Sequence, residues 1–596
     1  MHKEQVQYKM FKGLKWFFIS PFLFSLLFCG HPISIDGLFS DWDNVALAYQ
    51  DIENDNIDAD YSTLKITYDS EFLFLYFNFY NGEFLMQDWN EFHLYIDADN
   101  DSSTGHSIHG IGAELEWVFG NRSGYKYMDG QQTQINQNDL TLRIAPTITS
   151  TEFEIAINRE SSALTMNDSE SLIQGKVVLS ETEQNGDFIP DELGGVSFTI
   201  GEDFVSNPLP IALERLNEND IRVVSYNTWN EGILDSDRQT HFRRILQALD
   251  PDIIALQEHS DWEEIDGIIQ SWFPEDQWYA SWTHNDLVVL SRFQITNDAS
   301  MISSGRTMAA LLDTEDELGK NLLIFNSHLS CCDNNEDRQQ QVDEFAGEWR
   351  NWVQDESGPF SIDYGTPFIH LGDFNYVGYK QQVETIRDGD IENEGEYGID
   401  FLPDWDSTAI VDLFSRHTHK RMGYTWRKDA SSFNPGKLDY LFYSDASIDT
   451  GKHYILNTLA MGSQDLDYYD LQWDDTQEAS DHLPLVFDIS INDNIGTDQN
   501  IILPESLILY PNYPNPFNST TMISFYLSES GIVSLTIIDI KGNIIRELFN
   551  EGKSSGDYSI NWDGMNLEGE SVASGIYFYL LKTEGLSIVR KMSLLK

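Results

Sequence analysis

The chain has 596 residues, more than one ordinary domain holds, and at roughly 150 residues per domain it divides into about three or four units. An apolar share of 41% with 13% aromatics is ample for buried cores and excludes disorder throughout. Lys and Arg number 36 against 98 Asp and Glu, a net charge of −62, and a field of that sign disfavours a broad phosphate-tracking surface unless metal ions or salt offset it.

The chain opens on Lys3, Lys9, Lys12 and Lys15, followed by an apolar run from Trp16 to Phe28 broken at Ser20, Pro21 and Ser25. That run is too short to span a bilayer comfortably, so residues 1–30 read as a cleaved export signal and no stable membrane span is expected. Cys29 follows Leu26-Leu27-Phe28, but bulky Phe28 stands where lipoprotein acylation wants a small residue, so lipidation is the minor alternative. Cys331 and Cys332 are adjacent, where a mutual bridge is strained, so no disulfide framework exists.

Residues 31–205 alternate apolar and polar positions in short runs such as Leu64-Lys65-Ile66-Thr67-Tyr68, Phe72 to Tyr80, Phe92 to Ile96 and Phe153 to Ile157, which predicts an antiparallel β-sandwich. Residues 206–220, with Asn207-Pro208, read as a linker. The pattern then changes. Val223 to Tyr226, Ile253 to Leu256, Leu287 to Leu290, Leu322 to Phe325 and Phe368 to Leu371 are short apolar strands, with amphipathic stretches at His241 to Leu249 and Arg338 to Trp352 between them. Strands with helices on both sides of a buried sheet predict an α/β layered domain over 221–490. A polar link at 491–505 leads to a third unit, 506–596, with β alternation in Thr521 to Leu527, Val533 to Asp539, Tyr558 to Trp562 and Ile576 to Lys582. Its opening, Tyr510-Pro511-Asn512-Tyr513-Pro514-Asn515-Pro516-Phe517-Asn518, and its closing Ser574-Gly575-Ile576-Tyr577-Phe578-Tyr579 with Arg590-Lys591-Met592 resemble the C-terminal sorting domain of proteins exported by the type IX secretion system. That resemblance implies a small immunoglobulin-like sandwich handled by the secretion machinery, and a secreted or cell-surface location.

In the middle domain, residues suited to metal binding or proton transfer sit at the apolar strands: Asn227, Glu258, His328 and Asp373 with Asn375 follow them, Asp439 lies within Lys437 to Leu441, and Asp481 with His482 precedes Leu483 to Val486. Reacting groups cluster at strand ends because loops converge there without unpairing the sheet. A single such residue is more often a loop cap or a structural histidine; eight of them at strand ends in register are not. Ser225-Tyr226-Asn227, Leu256-Gln257-Glu258, Leu290-Ser291-Arg292-Phe293, Asn326-Ser327-His328-Leu329, Gly372-Asp373-Phe374-Asn375, Lys437-Leu438-Asp439-Tyr440 and Ser480-Asp481-His482-Leu483-Pro484 resemble, in order, the endonuclease/exonuclease/phosphatase superfamily that includes deoxyribonuclease I. The resemblance implies a four-layer α/β sandwich and a metal-dependent phosphoric ester hydrolase with Mg²⁺ or Mn²⁺. It implies Glu258 as principal metal ligand with Asn227 and Asp481 close by, and His482 as base or charged phosphate partner oriented by Asp439. Asp373 would position or deprotonate the water, and Asn375 and His328 would donate to phosphoryl oxygens; which of Asp373 and His482 takes the proton stays open.

The N-terminal unit carries Asp97, Asp99 and Asp101 on alternating positions of a turn, suited to Ca²⁺ or, equally, to a solvated acidic turn. With Ile35-Asp36-Gly37 to Asp41-Trp42 and Gly112-Ala113-Glu114, it resembles sandwich domains related to family 9 carbohydrate-binding modules. Trp42, Trp89 and Trp117 either stack on sugars or, the commoner fate, lie buried. The leading function is a secreted phosphoesterase cutting phosphodiester bonds, foremost an extracellular nuclease. A sphingomyelinase-like enzyme acting on a phospholipid headgroup and an inositol-phosphate phosphoesterase are the alternatives within the class, and a surface glycan-binding protein the alternative outside it.

Overall fold

The computed structural model describes residues 30–490, apart from 54–55, 57, 166–170, 183–185, 202–204, 206, 261, 283–284 and 356, and much of 507–594, apart from 510–511, 513–516, 518–519, 528–530, 540–543, 555, 568–570 and 584–586. Residues 1–29 with Cys29, the 491–505 link, and most of the proline-rich opening at Tyr510 to Asn518 lie outside the described residues.

The N-terminal unit pairs a five-stranded sheet, ordered Leu47–Gln50, Tyr61–Tyr68, Phe72–Phe79, Glu152–Asn158, Arg143–Ala145, with a seven-stranded one built around His93–Asp97 and Gln174–Ser180. Strand Phe72–Phe79, Phe-Leu-Phe-Leu-Tyr-Phe-Asn-Phe, is apolar at nearly every position, whereas an antiparallel strand with one wet face would alternate. Both of its faces are covered. Leu73, Leu75, Phe77 and Phe79 point into the sandwich core, while Phe72, Phe74 and Tyr76 join a second cluster with Val223, Ile253, Ile324 and Phe487 of the middle domain. Burying each such side chain is worth about 1.5–3 kcal/mol, so the sandwich is fastened to its neighbour by core packing. Backbone bonds add to this: Ile35 N–H donates to Arg421 O at 3.0 Å and Gly423 N–H to Ile35 O at 2.9 Å. The expected linker is laid down in the same way, for Ile211 N–H donates to Thr418 O at 2.9 Å and Leu213 is buried with its N–H on Tyr469 Oη at 3.0 Å.

The middle domain contains two six-stranded sheets where the apolar runs alone suggested one. The first runs Tyr279–Trp282, Leu287–Ser291, Ile253–Gln257, Ile221–Asn227, Leu485–Ile489, Thr450–Ile455; the second runs Ile295–Ser300, Thr307–Leu312, Leu322–His328, Phe368–Asp373, Asp439–Tyr443, Val411–Asp412. Strand periodicity sorts the layers. Val223 and Ile324 face the space between the sheets, while Val224 and Tyr226 pack on Phe242, Ile245 and Ile265 of helices Gln239–Leu249 and Trp262–Trp272. On the other side, Leu323 and Phe325 pack on Val342, Phe345 and Ile386 of helices Asn335–Asp355 and Gln381–Asp388. The result is helix, sheet, sheet, helix. The C-terminal unit has a three-stranded and a four-stranded antiparallel sheet closing on Leu535, Trp562, Tyr579 and Leu581.

Candidate active site

One parallel pair lies in each middle sheet: Ile221–Asn227 with Ile253–Gln257, and Leu322–His328 with Phe368–Asp373. Parallel strands end at the same side, so Asn227 and Glu258 emerge together from the first sheet and His328 and Asp373 from the second. Register sharpens this: His328 pairs with Asp373, and Asp373 with Asp439, giving one transverse row. Gly372 makes the row possible, since at φ +134° a Cβ there would collide with the Ser327 carbonyl.

Between the sheets Gln257 Nε2 donates to Asn326 Oδ1 at 2.8 Å, and above it Asn227 Nδ2 donates to Asp373 Oδ2 at 2.9 Å and to Glu258 Oε1 at 3.1 Å. Asp373 Oδ2 is 3.6 Å from His482 Nε2 and 3.8 Å from His328 Nε2, and His482 Nδ1 meets Asp439 Oδ2 at 2.7 Å. Glu258, Asn227, Asp373, His482 and Asp439 thus form one linked chain although they span more than half of the middle domain's length. Loop bonds hold it. Ser480 Oγ donates to Asn227 O at 2.8 Å and accepts His482 N–H at 3.1 Å, while Thr425 Oγ1 accepts Asp439 N–H at 2.9 Å. Glu258 sits at φ +54° and Asn375 at φ +52°, strained conformations for non-glycine residues that turn their side chains off the strand ends.

Charge follows from this packing. Burial opposes a charge on His482, but Asp439 and Asp373 outweigh it and raise its pKa, so the ring stays cationic at neutral pH. Asp373 is pushed up by burial and by Asp439, against the pull of His482 and His328. For His328 burial is outweighed by its bond to Asp286 and by Asp373 and Glu258, and its pKa rises.

Eight expected site residues of the middle domain fall at this strand-end cluster, with different contacts. Asn375 donates Nδ2 to Leu329 O at 3.1 Å and its N–H to Asp373 Oδ1 at 3.0 Å, so it braces Asp373. Asn227 likewise spends Oδ1 on the Trp229 N–H at 2.9 Å and its amide on two carboxylates. Asp481 Oδ2 faces Lys428 Nζ at 3.3 Å. Glu258 and Asp373 bring carboxylate oxygens within 4.8 Å of each other, beside a His328 ring nitrogen, and two hard carboxylates so placed fit a divalent cation.

Asp286, Lys428 and Trp229 were not singled out from the sequence. Asp286 Oδ2 holds His328 Nδ1 at 2.7 Å, and its one legible signal is its place just before strand Leu287–Ser291. Lys428 lies 4.5 Å over the Trp229 ring, on a loop the sandwich braces: Asn138 Nδ2 donates to Asp429 O at 2.6 Å, Asn434 N–H to Gln87 Oε1 at 2.9 Å, and Arg122 stacks 3.9 Å over Phe433. No sequence pattern announces a contact made between domains.

In the sandwich, the acidic turn gathers Asp97, Asp99 and Glu114 instead of Asp97, Asp99 and Asp101. Asp101 Oδ1 is taken by the Ser103 N–H at 3.0 Å and hydroxyl at 2.6 Å. Trp42 and Trp117 are buried, Trp42 donating Nε1 to Glu154 at 2.9 Å, which leaves Trp89 exposed.

Residues 224–482 match the model of the Endonuclease/Exonuclease/phosphatase family, and residues 514–585 that of the FlgD Ig-like domain. No curated protein matches the chain. Among solved structures, the human Nocturnin catalytic domain with bound sulfate is 17% identical over 47% of this chain and 97% of that one, with a TM-score of 0.29. ANGEL2, a 2',3'-cyclic phosphatase, is 15% identical over 48% and 99% with a TM-score of 0.32, and a family protein from Leptotrichia buccalis 14% identical over 46% and 100% with 0.30. Overlaps this shallow carry no assignment; the family model does. The middle of the chain is an endonuclease/exonuclease/phosphatase family domain. The protein is therefore an enzyme, a metal-dependent phosphoric ester hydrolase, with an Ig-like domain behind its catalytic unit.

Proposed function

We propose that this enzyme is a secreted, Mg²⁺-dependent phosphodiesterase, foremost a nuclease acting on extracellular nucleic acid. The observation that carries the reading is the chain of contacts from Glu258 through Asn227 and Asp373 to His482 and Asp439, which brings anionic oxygens and a cationic imidazole to one point. Glu258 would hold the ion, with Asn227 and Asp481 beside it. A bound Mg²⁺ supplies Lewis acidity at the phosphoryl oxygens and acidifies a water. Asp373, buried and oriented by Asn227 and Asn375, takes the water's proton. His482, kept protonated by Asp439, answers the charge growing on the phosphoryl group, and His328, fixed by Asp286, donates to it from the other side.

A second reading is favoured by charge. Three cations near this end of the domain pair with acids, Lys428 with Asp481, Arg427 with Asp429, and Arg244 with Asp475, while Arg238 and Arg306 donate to backbone carbonyls. With −62 overall, that suits a short or small phosphodiester, including an inositol phosphate or a phospholipid headgroup, better than a long duplex. Assaying the full protein with Mg²⁺ over DNA, RNA, sphingomyelin and inositol phosphates tests both; hydrolysis of none of them, with Mg²⁺ or Mn²⁺, defeats the proposal.

The lysine-rich apolar leader and the proline-rich opening and basic close of the C-terminal unit support export through a type IX machinery. Among the described residues no helix is long and apolar enough to cross a membrane. Exposed Trp89 is the residue left for a carbohydrate, and the calcium expected at the acidic turn would be held by Asp97, Asp99 and Glu114.

A further inference from the structure

Asp51 is 4% exposed, and both of its carboxylate oxygens are buried without a hydrogen-bond partner. A buried carboxylate is costly unless something neutralises it or donates to it. Its neighbours are two more acids, for Asp51, Asp187 and Asp191 each bring an oxygen within 4.8 Å of the others. The partners are held in place. Asp187 accepts the Tyr61 N–H at 2.6 Å on Oδ2 and the Phe188 N–H at 2.7 Å on Oδ1, and Asp191 Oδ2 accepts the Tyr49 hydroxyl at 3.1 Å.

The acidic turn around Asp97 differs in this respect. There Lys176 Nζ stands 3.6 Å from Asp97, Asp99 accepts the Asp101 N–H at 2.8 Å, and Glu114 accepts the Ala98 N–H at 2.8 Å and the Thr104 hydroxyl at 3.2 Å. The polar groups beside Asp51 are the Ile52 N–H and the Asp191 carboxyl, and neither carries a positive charge to offset three acids. A metal ligand must keep its lone pairs free, and both Asp51 oxygens are free of any close donor. We propose that Asp51, Asp187 and Asp191 form a structural calcium site.

The donors named are all carboxylate oxygens, which favours a hard cation over zinc or copper. The acids come from two segments, Asp51 from one and Asp187 with Asp191 from the other, an arrangement that suits the larger, geometrically tolerant Ca²⁺, whereas Mg²⁺ demands tight octahedral geometry and keeps most of its waters. Placement says what the ion does. Asp51 leaves strand Leu47–Gln50 at the edge of the five-stranded sheet, and Asp187 and Asp191 flank strand Phe188–Ile189 at the edge of the seven-stranded sheet. An ion here ties the two sheets together. The site is separate from the acidic turn: along strand Gln174–Ser180, Lys176 pairs with Asp97 and Ser180 with Phe188, about 13 Å apart at ~3.3 Å per residue.

The test uses full-length protein stripped with chelator and titrated with Ca²⁺ alone, reading bound calcium and thermal midpoint together. Asp51→Asn and Asp191→Asn should each bind about one Ca²⁺ per chain fewer than wild type and lose a calcium-induced rise in midpoint. Without calcium, Asp51→Asn should melt no lower than wild type, since it removes a buried like charge. Asp129→Asn, on an exposed turn of the same sandwich, should keep the full response. Asp191 is only half-buried, so Asp191→Asn reports even where Asp51→Asn does not fold. Undiminished calcium binding and an unchanged midpoint response in Asp191→Asn, or occupancy by Mg²⁺ with no response to Ca²⁺, overturn the proposal.

Discussion

Asp439 Oδ2 lies 2.7 Å from His482 Nδ1, and the opposite ring nitrogen faces Asp373 Oδ2 at 3.6 Å. One carboxylate therefore sets the tautomer and charge of the imidazole, and the other receives what the imidazole presents. Replacing His482 by Ala should lower kcat by about 10²–10⁴-fold. In Asp439→Asn the hydrogen bond can persist but the negative charge is lost, so His482 should lose its proton at lower pH. The alkaline limb of the pH–rate profile should move down accordingly; an unshifted limb would contradict the role given to Asp439.

Metal dependence should separate Glu258 from His482. Glu258→Gln keeps the shape but removes the anionic oxygen that a divalent ion needs, so lost activity should return in part as Mg²⁺ is raised. His482→Ala should not respond. A metal titration in which both variants recover alike would refute this division of labour.

Among the described residues Lys428 touches the site through Asp481 and the Trp229 face, so Lys428→Ala should raise KM several-fold and leave kcat nearly unchanged. Phe433→Ala loosens the same loop where Arg122 stacks on it, and should move KM in the same direction by less. Steady-state kinetics on one substrate decides both.

His417 provides an acid-sensitive element away from the chemistry. Its Nε2 is 2.7 Å from Tyr424 O and its Nδ1 3.2 Å from Asn457 Nδ2, so the neutral ring with Nε2–H satisfies both neighbours. Burial, with Arg143, Arg416 and Arg427 nearby, lowers its pKa to about 3 despite the Tyr424 carbonyl. The unfolded chain takes up a proton below about pH 6.5 and the folded one does not, so stability falls as pH drops from there towards 3, by up to about 1.4 kcal/mol per pH unit. His417→Gln should flatten that slope by a similar amount in urea denaturation series at pH values between about 8 and 5, at the cost of lower stability throughout.

Removing residues 501–596 should leave hydrolysis intact, since the site closes at His482, and should stop delivery outside the cell. Normal surface delivery of the shortened protein would dispose of the sorting role.

Much was readable from the residues in order. Short apolar runs ending in Asn227, Glu258, His328 and Asp373 marked both the strands and the side from which chemistry would emerge, because a strand's residue types report burial and its last residue must leave the sheet. Strand Phe72–Phe79, expected as one of the alternating runs, is instead apolar on both faces, because its outer face packs on the catalytic unit. What covers it was not readable. Apolar faces are interchangeable along a sequence, so the split into two stacked sheets and the docking of the sandwich on the catalytic unit were decided by tertiary packing. The same holds for Asp286 behind His328, for Lys428 over Trp229, for Glu114 in place of Asp101, and for the meeting of Asp51 with Asp187 and Asp191. Each is a contact between residues whose separation in the chain carries no periodicity, and a carboxylate's role depends on which donors and charges reach it through space.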